Sequence, residues 1–233
     1  MFKELLSFWS KEDLLRQAFD ETARMLELAH DFFVKATAPL FTGERTDKDV
    51  IYSTDRQINI YEIETRKKVL EHLSISRKED TTAALVLITI AIDIERLGDY
   101  SKNFYELWEM YGGRLGYHPA IERLQEVEKN IESMFDNTLE SFKKADSNLA
   151  MDVMKLHIEN SEVCESIIVE VIGEEESTSS MTCNQKIIVA LAARYLKRIS
   201  AHLKNVASSV VNPFDRIGFK PSKSGAVIEF DGE

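Results

Sequence analysis

The sequence contains few of the residues that interrupt helices or brace small folds. It has 4 prolines and 9 glycines among 233 residues, which favours long helices over a β fold with many tight turns. The two cysteines, Cys164 and Cys183, show neither CxxC nor cysteine–histidine spacing, so neither a structural zinc site nor a disulfide framework is expected. Two isolated thiols suit a reducing compartment, and we therefore expect a cytoplasmic protein.

Long hydrophobic runs and an excess of positive charge are also absent. The longest apolar run, Ala83 to Ile92, is about half the length that a bilayer-spanning helix needs. With 29 Lys and Arg against 40 Asp and Glu, the formal charge is −11. This charge argues against a general nucleic-acid binder, which needs a basic face to displace counterions. It is compatible with cation binding or with basic protein partners.

Motifs for catalysis are missing as well. The chain has no arrangement typical of a Ser/His/Asp or Cys/His nucleophile, no P-loop and no dinucleotide fingerprint. Glu-x-x-His spacing occurs once, at Glu27 and His30, whereas carboxylate-bridged di-iron proteins carry this motif on two helices. We therefore predict that the protein is not an enzyme.

Hydrophobic periodicity predicts six helices and an all-α fold. A weak alternation over residues 225–230 is the one strand-like stretch. The helices form two three-helix units in series, at residues 1–113 and 114–211, with a tail at 212–233. The predicted helices cover about residues 11–38, 47–73, 76–111, 120–144, 149–172 and 182–211.

An acidic stretch follows the apolar run inside the third predicted helix. Glu95, Asp99 and Asn103 are spaced i, i+4, i+8, which places them on one face. Two carboxylates one turn apart repel each other, so either solvent or a cation should lie between them. Without a cation, Glu95 would pair with an arginine such as Arg96 or Arg56, and Asp99 would be solvated.

The second predicted helix carries a matching polar face. Asp55, Asn59 and Glu62 are spaced i, i+4, i+7. If the second and third helices pack antiparallel, these oxygens approach those of the third helix. Carboxylate and amide oxygens suit a hard or borderline cation. We therefore predict that Asp55, Asn59, Glu95 and Asp99 are the metal ligands of the chain, if it binds metal.

The stretch has a second copy about a hundred residues later, which indicates an internal duplication. A constant offset of 102 relates the two copies. The acids are not repeated, because Lys197 and Ala201 stand where the first copy has Glu95 and Asp99. The preceding helices match more loosely, with Ile58-Asn59 set against Val163-Cys164. The shared positions are Arg96 with Arg198, Leu97 with Ile199, and Asn103 with Asn205.

The two copies resemble the signature of the PhoU family. In that family the last helix of each of two tandem three-helix repeats carries an (A/D)-L-E-R-I-G-D-H-x-x-N-I-like segment. Residues 94–104, I-E-R-L-G-D-Y-S-K-N-F, match it closely, with Tyr100 in place of the usual His. Residues 196–206, L-K-R-I-S-A-H-L-K-N-V, match in frame but not in their acids. The resemblance covers about residues 10 to 211.

The resemblance implies a non-enzymatic regulator of phosphate uptake and phosphate-starvation signalling. Members of this family work with the phosphate ABC transporter or another phosphate transporter, and with a phosphate-sensing histidine kinase. Such a protein would be peripheral to the inner membrane through its partners. Long helices with acidic and apolar faces are also compatible with a homodimer.

The family's acidic motifs are associated with multinuclear iron or zinc clusters. Glu95 and Asp99 match that motif, whereas Lys197 and Ala201 do not, so we expect one metal-competent face and one that has lost its site. In the second copy, Lys197 is expected to pair with an acid such as Glu159 or Glu162. The repeated Arg96 and Arg198 suit either phosphate or, more simply, an acid on an adjacent helix.

Two other functions are compatible with the sequence. A metal-binding helical-bundle enzyme would show redox or oxygen chemistry when loaded with iron. A generic helical interaction scaffold would bind no metal and would leave the phosphate response unaffected.

Overall fold

The computed structural model describes residues 13–75, 80–175 and 179–220, and these ranges contain helices and no strand. The prediction of an all-α fold is therefore confirmed, while residues 225–230 lie outside the described part. None of the described helices is both long and apolar enough to cross a membrane. The helices are α1 (Leu14–Thr42), α2 (Lys48–Ile75), α3 (Thr81–Tyr111), α4 (Pro119–Lys144), α5 (Ser147–Gly173) and α6 (Cys183–Val211), followed by a 3-10 turn at Phe214–Arg216.

Side-chain caps and left-handed residues set most helix ends. Asp13 accepts a hydrogen bond from the Leu15 backbone N–H at 2.8 Å and so caps the start of α1. Helix α1 passes through Pro39, where the sequence predicted its end. Its C-cap is Gly43, whose φ of 80° suits a residue without Cβ and whose N–H donates to the Pro39 carbonyl. At α6, Thr182 and Gln185 form a capping box.

Each repeat is a bundle in which all three helices contact one another. The first contains α1 to α3 and the second α4 to α6, as the duplication predicts. The repeats are joined through α3 against α6 and through α1 against α4. Helices α2 and α5 pack mainly on helices of their own repeats.

One hydrophobic core runs through both bundles. The ring of Phe135 on α4 stacks on His30 and tilts against Phe33, both on α1. Phe19 of α1 likewise stacks on Phe142 of α4, with ring centroids 4.4 Å apart. Burial of such side chains stabilises a fold by about 1.5–3 kcal/mol each relative to exposure. The two repeats therefore share their apolar interior.

Gly98 allows α2 and α3 to approach closely inside the first repeat. It is buried, and a Cβ built at this position would lie 3.0 Å from Cδ1 and 3.4 Å from Cγ2 of Ile58. A larger side chain at position 98 would therefore push the two helices apart at the point where their polar faces meet.

We predict that Gly98→Val destabilises the fold by about 1–3 kcal/mol, because the added methyl groups overlap Ile58. Urea unfolding measures this. In an Ile58→Val background, which removes Cδ1, the cost of the same substitution should fall. An equal cost in both backgrounds would show that the contact with Ile58 is not what limits residue 98.

Candidate functional site

The acidic motif lies on the side of α3 that faces α2. The apolar residues before it bury α3 in the core, and the helix continues without interruption through Asn103, which is partly buried. The side chains of Glu95 and Asp99 are 18% and 30% exposed. These carboxylates are thus only partly hydrated, and their charges are less screened than those of a fully exposed pair.

Helix α2 brings its own acids to the same place. Asp55 is buried, with 8% of its surface exposed. Glu62 forms an ion pair with Arg66, with an N–O distance of 2.7 Å. Asn59 lies one turn from Asp55 and is partly buried. The structure therefore places acids of the two helices together, as the antiparallel arrangement predicts. We refer to Asp55, Glu62, Glu95 and Asp99 as the carboxylate cluster.

A lysine lies inside the carboxylate cluster, and its role was missed in the sequence. The Nζ atom of Lys102 donates to Asp55 Oδ1 at 2.9 Å and lies 3.5 Å from Asp99 Oδ1. The lysine side chain is 21% exposed. Its spacing of three residues from Asp99 was the available signal, since i, i+3 pairs of opposite charge share a helix face.

An arginine neutralises the outer part of the cluster. Arg96 Nε lies 3.6 Å from Glu95 Oε2, and its Nη1 donates to Asp99 Oδ2 at 3.3 Å. The pair of Glu95 with Arg96 is the one that the sequence offered as the alternative to a cation, but Asp99, which was expected to be solvated, binds Arg96 and Lys102. The arginine binds acids of its own helix rather than one on an adjacent helix, and it is half exposed.

The pKa values of the cluster reflect crowding of negative charge. Burial raises the pKa of Glu95, and the nearby charges of Asp99, Glu62 and Asp55 raise it further, against the lowering effect of Arg96. Burial lowers the pKa of Lys102, but the hydrogen bond and charge of Asp55 and the charge of Asp99 outweigh it and raise the value. The lysine is therefore fully charged at neutral pH.

The donor set does not fit a multinuclear iron or zinc cluster. Metal ions bind carboxylate oxygens at about 2.0–2.6 Å through the same lone pairs that accept hydrogen bonds. Here Lys102 and Arg96 already engage Asp55, Asp99 and Glu95. Within the described ranges, no three His, Cys, Asp or Glu side chains converge as a metal-binding group. Metal binding through Asp55, Asn59, Glu95 and Asp99 stays a prediction.

The second copy of the motif contains bases and no acid. Lys197 pairs with Glu165, rather than with Glu159 or Glu162 as expected. Lys204 stands at the position of Lys102 and donates to the backbone carbonyl of Gly218. We refer to His157, Lys197 and Lys204 as the basic face of the second repeat.

The middle helices α2 and α5 are also related by the offset of 102, as their contacts with the motif helices show. Asp55 of α2 bonds Lys102, and the corresponding His157 of α5 lies near Lys204, whose charge lowers the histidine pKa. The sequence match of Ile58-Asn59 with Val163-Cys164 was therefore displaced by three residues. Similar apolar residues recur every three to four positions on a helix, so an alignment shifted by three residues still matches apolar with apolar positions. The sequence pattern alone therefore does not reveal the shift. The corresponding pairs are Asp55 with His157, Ile58 with Asn160, Glu62 with Cys164, Gly98 with Ser200, and Lys102 with Lys204.

Burial and the two lysines determine the ionisation of the basic face. Burial, with the charges of Lys204 and Lys197, lowers the pKa of His157 to about 4. Its Nδ1 lies 2.9 Å from Ser200 Oγ. Burial also lowers the pKa of Lys204, against the raising effect of Asp93, and raises that of the Cys164 thiol to about 12. His157 is therefore neutral at pH 7, and Cys164 is an unreactive thiol.

A polar junction connects the two motif helices directly. Asp93 Oδ1 lies 2.7 Å from His202 Nδ1 and accepts a hydrogen bond from Asn205 Nδ2 at 2.9 Å. Arg198 donates to the Tyr100 hydroxyl at 3.2 Å and lies over its ring. Arg198 and Asn205, two of the repeated residues, thus bind the other repeat. Within the described ranges, Arg198 forms no ion pair with an acid on a neighbouring helix of its own repeat.

The segment after α6 folds back on the second motif. Asn212 Nδ2 donates to the carbonyls of Arg216 and Phe219, and the Gly218 N–H donates to Ser208 Oγ at 2.7 Å. Gly218 has a φ of +87°, and a Cβ there would lie 3.0 Å from Asn205 Oδ1. The start of the predicted tail therefore covers one end of the basic face.

Comparisons with known proteins agree with this architecture. The family model described as the PhoU domain matches residues 22–107 and again residues 124–210. The phosphate transport system regulatory protein PhoU from Streptococcus pneumoniae is 17% identical, with a TM-score of 0.74, over 84% of this chain and 93% of that chain. PhoU from Pseudomonas aeruginosa is 19% identical, with a TM-score of 0.75, over 85% and 95%. No curated protein matches in sequence. At these identities the structural likeness shows the fold.

We predict that His157→Gln reduces the loss of stability on acidification. Wild-type His157 binds a proton readily when unfolded, near pH 6.5, but only near pH 4 when folded, so its contribution is lost as pH falls through this window. Glutamine keeps a polar group near Ser200 and does not titrate. Urea midpoints at pH 7 and pH 5 measure the effect. Equal pH sensitivity in both proteins would contradict the proposed state of His157.

Proposed function

Because the chain belongs to the PhoU family, we propose that it regulates phosphate uptake and phosphate-starvation signalling through protein contacts and without catalysis. The observation that carries the proposal is the match of the PhoU domain to both repeats, together with a signature helix in each. The Streptococcus pneumoniae protein of the same fold is described as a regulatory protein of a phosphate transport system.

The outer helices offer surfaces for such contacts. Helix α2 exposes Ile60, Ile63 and Leu70, which recur on one side at helical spacing and are 49%, 48% and 67% exposed. Helix α5 exposes Val169 and Ile172, at 72% and 74%. Clustered apolar side chains on a protein surface are typical of interaction sites. These stripes support a function in protein binding.

The proposed partners are those that the resemblance implies. They are the phosphate ABC transporter or another phosphate transporter, and a phosphate-sensing histidine kinase. A protein bound to them acts at the cytoplasmic side of the inner membrane. The net charge of −11 favours basic protein surfaces and disfavours nucleic acid. A homodimer remains part of the proposal.

The donor geometry gives no support to a metal-dependent helical-bundle enzyme. Such an enzyme needs ligands with an open position for substrate or oxygen. In the carboxylate cluster, Lys102 and Arg96 engage the carboxylates of both helices. A generic interaction scaffold is compatible with the exposed stripes, and the genetic experiment separates it from the proposal.

We predict that deletion of the gene switches on phosphate-starvation reporters in phosphate-rich medium. Wild-type protein supplied in trans should restore repression. Normal repression in the deletion strain would contradict the proposal and favour the scaffold function.

The same strain tests which face makes the contact. Ile60→Ser/Ile63→Ser changes the stripe on α2, and Val169→Ser/Ile172→Ser is the matched control on α5. Substitutions of exposed apolar residues cost little stability, typically within about 0.5 kcal/mol, so helicity should be unchanged in both. If contacts regulate, at least one pair should fail to complement. Full complementation by both would contradict contact through these stripes.

A further inference from the structure

The ammonium of Lys102 lies where the two acidic faces of the first repeat meet. It bonds Asp55 of α2 at 2.9 Å and approaches Asp99 of α3 at 3.5 Å. Asp55 and the lysine are largely buried, with 11% and 21% of their side chains exposed. Removing one partner of a pair in such a place leaves an uncompensated charge, so the arrangement is held strongly.

Three basic side chains balance most of the negative charge of the carboxylate cluster. The carboxylate cluster has four negative charges, and it is paired with Lys102, Arg96 and Arg66. A divalent cation bound between Asp55 and Asp99 would have to share their oxygens with Lys102, and two cations at this distance repel each other. Lysine and metal are therefore alternatives at this position.

The second repeat has the same lysine but neither of the two acids of the motif helix. Lys204 corresponds to Lys102 at the offset of 102, while Glu95 and Asp99 correspond to Lys197 and Ala201. Lys204 finds its partner in the Gly218 carbonyl. In both repeats the motif helix thus carries a lysine at this position.

We infer that Lys102 takes the place of a metal in the first repeat, so that Asp55 and Asp99 are closed by an internal cation and become free to bind a divalent cation when this one side chain is removed. The inference does not depend on the proposed regulatory function. It concerns the ligand preference of Asp55 and Asp99 alone.

The test compares Zn²⁺ binding to purified wild-type protein and to Lys102→Met, which keeps the length of the side chain but not its charge. Competition with a chromophoric chelator measures affinity, and elemental analysis after dialysis measures bound metal. Lys102→Met should bind Zn²⁺ roughly tenfold or more tightly than wild type. Lys102→Arg keeps the charge and should behave like wild type.

A double variant, Lys102→Met/Asp99→Asn, identifies the site. It should lose the gained affinity, while background binding at the exposed thiol of Cys183 is the same in every protein compared. Zn²⁺ bound by wild type and lost in Asp99→Asn would overturn the inference. So would the absence of any gain in Lys102→Met.

Circular dichroism checks that each variant is folded. If Lys102→Met loses helicity, Lys102→Gln, which can still donate a hydrogen bond to Asp55, replaces it in the same comparison. If both unfold, the comparison of wild type with Asp99→Asn decides, because metal bound through Asp99 in wild type contradicts the inference and its absence supports it.

Discussion

The packing of α3 against α6 is the constraint on which the rest of the structure depends. Both helices carry a copy of the motif, and Asp93 on one joins His202 and Asn205 on the other across the junction. Each motif helix is thereby fixed on one side by the other repeat. The side that carries residues 95, 99 and 102, or 197, 201 and 204, is left to face the middle helix of its own repeat, α2 or α5.

Given this geometry, the charge of each face follows from a few substitutions between the repeats. Asp55 and Asp99 bind Lys102, whereas His157 and Ala201 at the corresponding positions leave Lys204 to a backbone carbonyl. Both faces have the same helical frame and the same lysine position, but the acids are present only on the face of the first repeat. Two copies of one helical frame thus differ in the charges that lie between the motif helix and the middle helix.

The fold could be read from the sequence because its signals are local or repetitive. Scarce Pro and Gly, helical periodicity and the offset of 102 gave six helices in two repeats. The site could be read only in part. The approach of Asp55 to Asp99 follows from antiparallel packing of α2 and α3. That Lys102 binds both acids could not be predicted, because a long lysine side chain has many rotamers and can reach several different partners. The junction of Asp93 with His202 and Asn205 was missed because no pattern in either helix specifies which helix it will meet.

We expect α3 and α6 to form one cooperative unit, so that neither repeat is stable without the other. Native-state hydrogen exchange under mildly denaturing conditions tests this most directly. In a cooperative unit the slowest amides of α3 and α6 exchange through the same global opening, with the same free energy and the same dependence on denaturant. Slow amides of α3 that exchange through an opening of lower free energy than those of α6 would show separable repeats and would contradict it.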